Sequence, residues 1–309
     1  MYIYLNDKIV HSTEARISVF DHGFLYGDGI FETIRVYDGV AFMLDEHLKR
    51  LFRSASLIGL NIQKTFSEIK IAIYETLQAN SLTNAYLRIT VTRGEGAIGL
   101  DPALCKGPTF VIMVNEFKEY PSSYYKNGLK AIISTVKRNI KEAIDSRIKS
   151  LNFLNNILAK IEAKQHESYE AIMLNYQDYL AEGTISNIFF VKNDILCTPS
   201  IECGILDGIT RAIVIDLAIK NGIRVKEGEF TRDDLFSASE VFITNTTMEV
   251  MPVSVIIDCR SQVLDPHVNK PRVIHYSVGD ISKMLLSKYR KEVIGYVREK
   301  KGETTLLWQ

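Results

Sequence analysis

The chain has 309 residues, with 37 Lys and Arg against 37 Asp and Glu and a formal net charge of zero. A protein that neutralises many phosphates needs a surplus of basic side chains on one face, so this balance argues against a polyanion binder and against nucleic acid as a partner. At 46% hydrophobic and 24% charged, the chain is globular and long enough to bury a large core in two domains.

Cys105, Cys197, Cys203 and Cys259 form no C-x-x-C pair and have no His at ligand spacing. They read as buried reduced thiols, with neither a metal site nor a disulfide framework. No basic leader followed by an apolar stretch opens the chain, and no run of about 18 apolar residues occurs, so the expectation is a cytoplasmic protein with no membrane partner.

In chain order, Ile30 to Tyr37 and Val40 to Leu44 flank Asp38-Gly39, a dipeptide that tolerates positive φ, and predict a β-hairpin. Asp45 then caps a helix carrying Leu48, Leu51, Phe52, Ala55 and Ile58 at helical spacing, with Gly59 as its stop. A second helix follows over Ser67 to Ala79, then strands at Ala85 to Thr92 and Thr109 to Asn115. The stretch Glu119 to Gly128, with Pro, Ser and Asn-Gly and no sustained period, is the expected linker. The domains are therefore 1–118, a linker at 119–128, and 129–309. In the second domain the pattern predicts strands at Leu129 to Val136, Glu170 to Asn175, Asn187 to Lys192, Val241 to Thr244 and Val253 to Ile257. Helices are predicted over Asn152 to Gln165, over Thr210 to Asn221 with Gly222 ending it, from Thr231-x-x-Asp234, and over His275 to Lys300.

Three segments could carry chemistry. Lys149 stands at the mouth of a helix whose apolar face holds Phe153, Leu154, Ile157, Leu158 and Ile161. Partial desolvation there would free its amine for Schiff-base chemistry. Glu182 is an acidic residue in a turn between two apolar strands. The stretch Leu206-Asp-Gly208-Ile209-Thr210 sets a glycine before a helix N-terminus, where open N–H groups and the helix dipole favour a phosphate.

With Phe20-Asp-His-Gly-Phe-Leu-Tyr26-Gly-Asp-Gly-Ile-Phe31-Glu-Thr and Glu46-His-Leu-Lys-Arg50-Leu, these segments resemble, in order from about Tyr4 to Val253, the fold-type IV, or class IV, pyridoxal-phosphate-dependent aminotransferase family. The resemblance implies an α/β (α+β) fold of two domains, a smaller N-terminal α+β domain and a larger C-terminal, barrel-like sheet domain with helices. It implies pyridoxal 5′-phosphate (PLP) as cofactor and a homodimer or larger homo-oligomer with the active site near the subunit interface. Lys149 would form the Schiff base with the cofactor, and Glu182 would face the pyridine nitrogen and make the ring an electron sink. Arg50 would grip the phosphate, the N–H groups of Ile209 and Thr210 after Gly208 and the Thr246 hydroxyl would complete its cup, and Leu206 would lie against one ring face. Ser186, Asn187 and Thr247 match further cofactor-binding positions, and Thr247 a substrate position as well. His22 and His47, inside the matched motifs, read as framework.

Within the family, Tyr86-Leu-Arg88 is similar to the Tyr-x-Arg strand of branched-chain aminotransferases, where the tyrosine helps to hold the α-carboxylate and the arginine meets the side-chain carboxylate of glutamate. Tyr26, Phe31 and Tyr120 look like an aromatic wall for branched apolar side chains. This implies transamination between a branched-chain or other hydrophobic L-amino acid and 2-oxoglutarate. D-amino-acid aminotransferases carry an Arg and a His a few residues after the Thr-Arg-Gly that matches Thr92-Arg93-Gly94, and here Ile98 and Leu100 stand in those places. Ser186, Phe153 and Asn245-Thr246-Thr247-Met248-Glu249 depart from the branched-chain pattern. Ala181 to Asn187 and Gly204 to Thr210 are also similar to aminodeoxychorismate lyases, which release pyruvate and 4-aminobenzoate, so a lyase is the first alternative and a D-amino-acid aminotransferase the second.

Overall fold

The computed structural model describes residues 1–261 and 271–307. By contacts it divides into two units, one of residues 1–118, 148–152 and 292 onwards, the other of 119–147 and 153–291.

In the first unit, β1 (Tyr2–Leu5), β2 (Lys8–His11), β3 (Gly29–Tyr37), β4 (Val40–Ala41), β5 (Ala85–Thr92) and β6 (Thr109–Glu116) form an antiparallel sheet in the order β2-β1-β6-β5-β3-β4. Helices α1 (His22–Tyr26), α2 (Leu44–Leu57) and α3 (Phe66–Ala79) complete it. The period of two decides what each face does. Ile30, Ile34, Val36, Leu87, Ile89 and Val91 join Leu48, Leu51, Ile69, Ile73 and Leu77 of the helices in one core. Each such burial stabilises by about 1.5–3 kcal/mol. Phe31, Thr33 and Arg35 oppose Thr90, Arg88 and Tyr86 in the register and share the other face.

The Asp38-Gly39 hairpin forms as expected, with φ of 48° and 82° at the two residues. Asp45 does not cap α2. Met43, at φ 53°, holds the N-cap position without a side-chain hydrogen bond, and Asp45 lies with Glu46 in the first turn, where its charge complements the positive end of the helix dipole. α3 begins one residue before the predicted start, because Thr65 and Glu68 close a reciprocal capping box.

The expected linker begins where the second unit does, at Glu119. Within it lies α4 (Ser122–Asn127), whose Tyr124 and Tyr125 pack on the core of the second unit. There, β7 (Leu129–Ile133), β8 (Glu170–Leu174), β9 (Leu180–Gly183), β10 (Asn187–Lys192), β11 (Ile195–Pro199), β12 (Arg224–Gly228), β13 (Glu240–Asn245), β14 (Glu249–Asp258) and β15 (Arg272–His275) make one sheet. Because β9 pairs with both β8 and β10, the strands β10-β13-β14-β7-β8-β9 close on themselves, the barrel-like arrangement expected. Closure removes the exposed edges that an open sheet of these apolar strands would present. Glu182 therefore lies on strand β9, not in a turn.

Helix α5 (Leu154–Gln165) crosses between the parallel strands β7 and β8. α6 (Ile209–Lys220) and the capping-box helix α7 (Arg232–Phe236) follow. The C-terminal helix, α8 (Asp280–Leu307), starts later than predicted, because Arg272–His275 pairs with β14 as β15. Its residues from 292 group with the first unit, as does the segment 148–152, rather than with the C-terminal domain expected from the sequence. All four cysteines are free; Cys105 is half-buried and the other three are buried. Among the described residues no helix is long and apolar enough to cross a membrane.

Candidate active site

In the first unit, Lys149 lies on the segment that bridges to β3, with its carbonyl accepting from Phe31 N at 2.9 Å and its N–H donating to Ser54 Oγ at 3.2 Å. The Lys149 ammonium stands 4.6 Å from the Phe31 ring centroid, and the Arg88 guanidinium stacks 3.8 Å from the same centroid. Arg88 donates to Thr90 Oγ1 at 3.3 Å and makes no ion pair among the described residues. Burial pulls its pKa down from the usual arginine value. A guanidinium withdrawn from water without a carboxylate is costly, and an incoming anion relieves that cost. Tyr86 is half-buried two positions before Arg88, on the same face. Tyr26 accepts from Gly99 N–H at 3.1 Å, beside the exposed Ile98 and Leu100.

On the opposite, core-facing side of β3 sits Glu32, which the sequence did not single out. Arg50 grips it with a planar fork, Nε to Oε1 at 2.7 Å and Nη2 to Oε2 at 2.8 Å, and His47 Nδ1 lies 2.7 Å from Oε2. Burial pushes the Glu32 pKa up, but Arg50 and His47 outweigh it and hold the carboxyl well below the usual range. For His47 burial wins over the attraction of Glu32, and the imidazole stays neutral below its ordinary value. Arg50, expected to hold a phosphate, thus has its guanidinium plane fixed by Glu32. His47 and His22, whose Nε2 lies 2.9 Å from the Ala97 carbonyl, are buried framework as expected.

The second unit gathers the other expected residues. Glu182 Oε1 accepts from Arg138 Nε at 2.8 Å, and Oε2 from Leu206 N–H at 2.9 Å and Asn187 Nδ2 at 3.4 Å. Asn187 also donates to the Leu206 carbonyl at 3.0 Å. Arg138 is braced in turn by Asn155 and Asn156. It lies 44 positions from Glu182, in a stretch without regular pattern, so sequence reasoning missed it. Ser186 donates to Glu170 Oε2 at 2.9 Å, so its hydroxyl serves a buried carboxylate that also takes Thr184 N–H.

Gly208 is the N-cap of α6 and offers no side-chain cap, which leaves the first-turn N–H groups at Ile209 and Thr210 without helical acceptors. A Cβ at Gly208 would sit 2.0 Å from Asn187 Oδ1, so only glycine allows this approach. The turn between β13 and β14 carries Thr246 and Thr247. Asn245 Oδ1 shapes it by accepting Thr247 N–H at 2.9 Å and Met248 N–H at 2.7 Å. Tyr120 Oη lies 3.3 Å from Thr247 Oγ1, which places that aromatic residue against the turn.

Within the two units the chain thus supplies a primary amine beside apolar and cationic partners, a buried carboxylate with an arginine behind it, and an uncapped helix N-terminus and a turn bearing two threonines. The chain is similar to known proteins over most of its length. The family model described as amino-transferase class IV matches residues 29–256. A Methanocaldococcus jannaschii protein named "Putative branched-chain-amino-acid aminotransferase" is 44% identical over 291 residues, 94% of this chain and 96% of that one. The aminodeoxychorismate lyase of Bacillus subtilis is 34% identical over 97% of each chain. The crystal structure of the branched-chain aminotransferase from the thermophilic archaeon Thermoproteus uzoniensis with norvaline superposes with a TM-score of 0.86 at 31% identity, covering 96% of this chain and 97% of that one. The chain belongs to the class IV aminotransferases, a family of pyridoxal-phosphate-dependent enzymes.

Proposed function

We propose that the protein transfers the amino group of a branched-chain or other hydrophobic L-amino acid to 2-oxoglutarate, with pyridoxal 5′-phosphate as cofactor. The observation that carries this reading is Arg88, half-buried, without an ion pair among the described residues, and stacked on Phe31 beside Lys149. Its planar fork suits a carboxylate, the aromatic ring beside it suits an apolar side chain, and the two alternate substrates need one of each.

The residues fit the cofactor. The group supplies, when bound, an electron-withdrawing ring that stabilises charge released at the substrate Cα. Lys149 would hold it through its amine and, once displaced by the substrate amine, move the proton between the substrate Cα and the cofactor's C4′. Glu182, clasped by Arg138, would present a fixed negative charge to the pyridine nitrogen. The open N–H groups at Ile209 and Thr210, the Thr246 and Thr247 hydroxyls and Arg50 would bind the phosphate, with Leu206, Ser186 and Asn187 around the ring. Tyr86 would bind the α-carboxylate, Arg88 the distal carboxylate of glutamate, and Tyr26, Phe31 and Tyr120 the apolar side chain.

We also infer a homodimer. Leu154, Ile157, Leu158 and Ile161 stand exposed along one side of α5 while Asn156, Ala159 and Ala163 are buried on the other. An exposed apolar row of this kind marks a protein partner, and a second copy is the one the family resemblance implies. The mass in solution should be at least twice 35.1 kDa, and Leu158→Asp should reduce it; an active wild-type monomer would contradict the inference.

The activity is tested by visible absorption of the purified protein. L-leucine alone should bleach the yellow band and 2-oxoglutarate should restore it. A band unmoved by L-leucine, in a protein that releases pyruvate and 4-aminobenzoate from aminodeoxychorismate, would instead establish the lyase, the activity named for the Bacillus subtilis relative.

A further inference from the structure

The C-terminal helix α8 is fastened to the β13–β14 hairpin at two points. At its start, Glu240 of β13 accepts the backbone N–H of Ile281 at 3.1 Å and of Ser282 at 2.9 Å. These are donors that a helix's first turn leaves open. About two turns on, Arg290 Nε donates to Glu249 Oε2 at 2.7 Å. Glu249 pairs with Asn245 in the register, so the two fastenings sit at opposite ends of β13. The helix splints the hairpin along its length.

The second fastening bears directly on the turn that carries Thr246 and Thr247. Glu249 has φ 58°, a conformation uncommon for a residue other than glycine and one that contacts around it help to hold. Arg290 supplies such a constraint, and its guanidinium lies 4.9 Å from the ring centroid of Tyr125, whose hydroxyl donates to the Met248 carbonyl at 3.3 Å. Burial pushes the Tyr125 pKa up to about 12, so that hydroxyl keeps its proton. The turn is therefore held from within by Asn245 and from without by Tyr125, Glu249 and Arg290.

We propose that Arg290 is a positioning residue for the cofactor: by drawing Glu249 to α8 it fixes the Thr246–Thr247 turn in the shape that receives the phosphate of pyridoxal 5′-phosphate. This rests on the assignment of that phosphate to the turn made under the proposed function. Arg290 itself, half-exposed on the helix, acts through its ion pair with Glu249.

The test uses full-length protein stripped of cofactor and titrated with pyridoxal 5′-phosphate, with binding followed by absorbance and each variant's unfolding midpoint measured alongside. Arg290→Met should weaken cofactor binding about 10-fold, since a single charge-assisted hydrogen bond is lost from a half-exposed pair. Arg290→Lys should recover part of the loss. Lys291→Met, an exposed neighbour on the same helix, should change nothing. Glu249→Gln should mimic Arg290→Met, and the double variant should bind no more weakly than the weaker single one. Cofactor affinity equal to wild type in Arg290→Met, or an equal loss in Lys291→Met, overturns the proposal. If Arg290→Met fails to fold, Glu249→Gln and Arg290→Lys decide on the same terms. A wild-type protein that takes up no cofactor at all would bring down the proposed function first, and this inference with it.

Discussion

Glu32 and Glu182 are both carboxylates withdrawn from water, at 0% and 5% exposure, and each is met by an arginine. They are held differently. Glu32, on the core face of β3, is gripped at both oxygens by the fork of Arg50 and again by His47, so three side chains fix one another's planes. Glu182, on a barrel strand, takes a single guanidinium nitrogen on one oxygen and backbone and amide donors on the other. The first arrangement neutralises a charge in order to set an arginine in place. The second sets a carboxylate in place by donors on the segment before α6, at Leu206, and on strand β10, at Asn187. The same pair of residue types thus serves a fixed cation in one unit and a fixed anion in the other.

The largest effect should come from breaking the first arrangement. Glu32→Gln leaves Arg50 as a buried charge without its counter-ion, and the chain should lose about 3–5 kcal/mol of unfolding free energy in urea. A loss below about 1 kcal/mol, the range of an exposed pair, would show that Arg50 does not depend on Glu32.

The same cluster makes stability fall on acidification. The folded-state pKa of His47 is depressed, so its contribution is complete above its unfolded value near 6.5 and is lost as pH falls. The folded-state pKa of Glu32 is also depressed, so its contribution is present above the unfolded value of 4.5 and is lost as pH falls through the folded one. Unfolding midpoints should decline in two stages, the first below about pH 6.5 and the steeper below about 4.5, with the steeper stage reduced in Glu32→Gln.

The second arrangement should yield a smaller effect of a different kind. Arg138→Met removes one hydrogen bond to a charged group, worth about 1.5–3 kcal/mol, and should slow turnover roughly 10- to 100-fold with a lesser effect on folding. An unchanged rate would remove Arg138 from the machinery. Smaller still, Arg88→Gln should raise KM for 2-oxoglutarate about 10-fold while the half-reaction with L-leucine keeps its rate. An equal effect on both substrates would contradict the division of labour between Arg88 and the aromatic ring.

What could be read from the sequence follows the range of the forces involved. The Asp38-Gly39 hairpin, the limits of β5 and the Thr231-to-Asp234 cap all came from residues within a few positions of one another, and they stand as read. The Thr65 cap, β11 and β12 were not read. The last two pair in parallel across the whole of α6, and Ile195-Leu-Cys-Thr-Pro alone carries no alternation to mark a strand. Glu182 was placed in a turn because Glu-Gly-Thr reads as a breaker, whereas barrel closure draws Leu180–Gly183 into pairing with both neighbours. The candidate site was legible where a motif is contiguous, as around Lys149 and Gly208. Arg138, Glu32 and Arg290 work through contacts 44, 18 and 41 positions away, and nothing local announces such partners.

Everything proposed for the chemistry depends on Lys149 carrying the cofactor. Reducing the purified yellow protein with borohydride, digesting it and finding the modified peptide by mass spectrometry identifies the lysine that does so. A single phosphopyridoxyl group on Lys149, and none on Lys137, Lys141 or Lys160, is the expected result. Modification of another lysine, or of none in a protein that still transaminates, would contradict it.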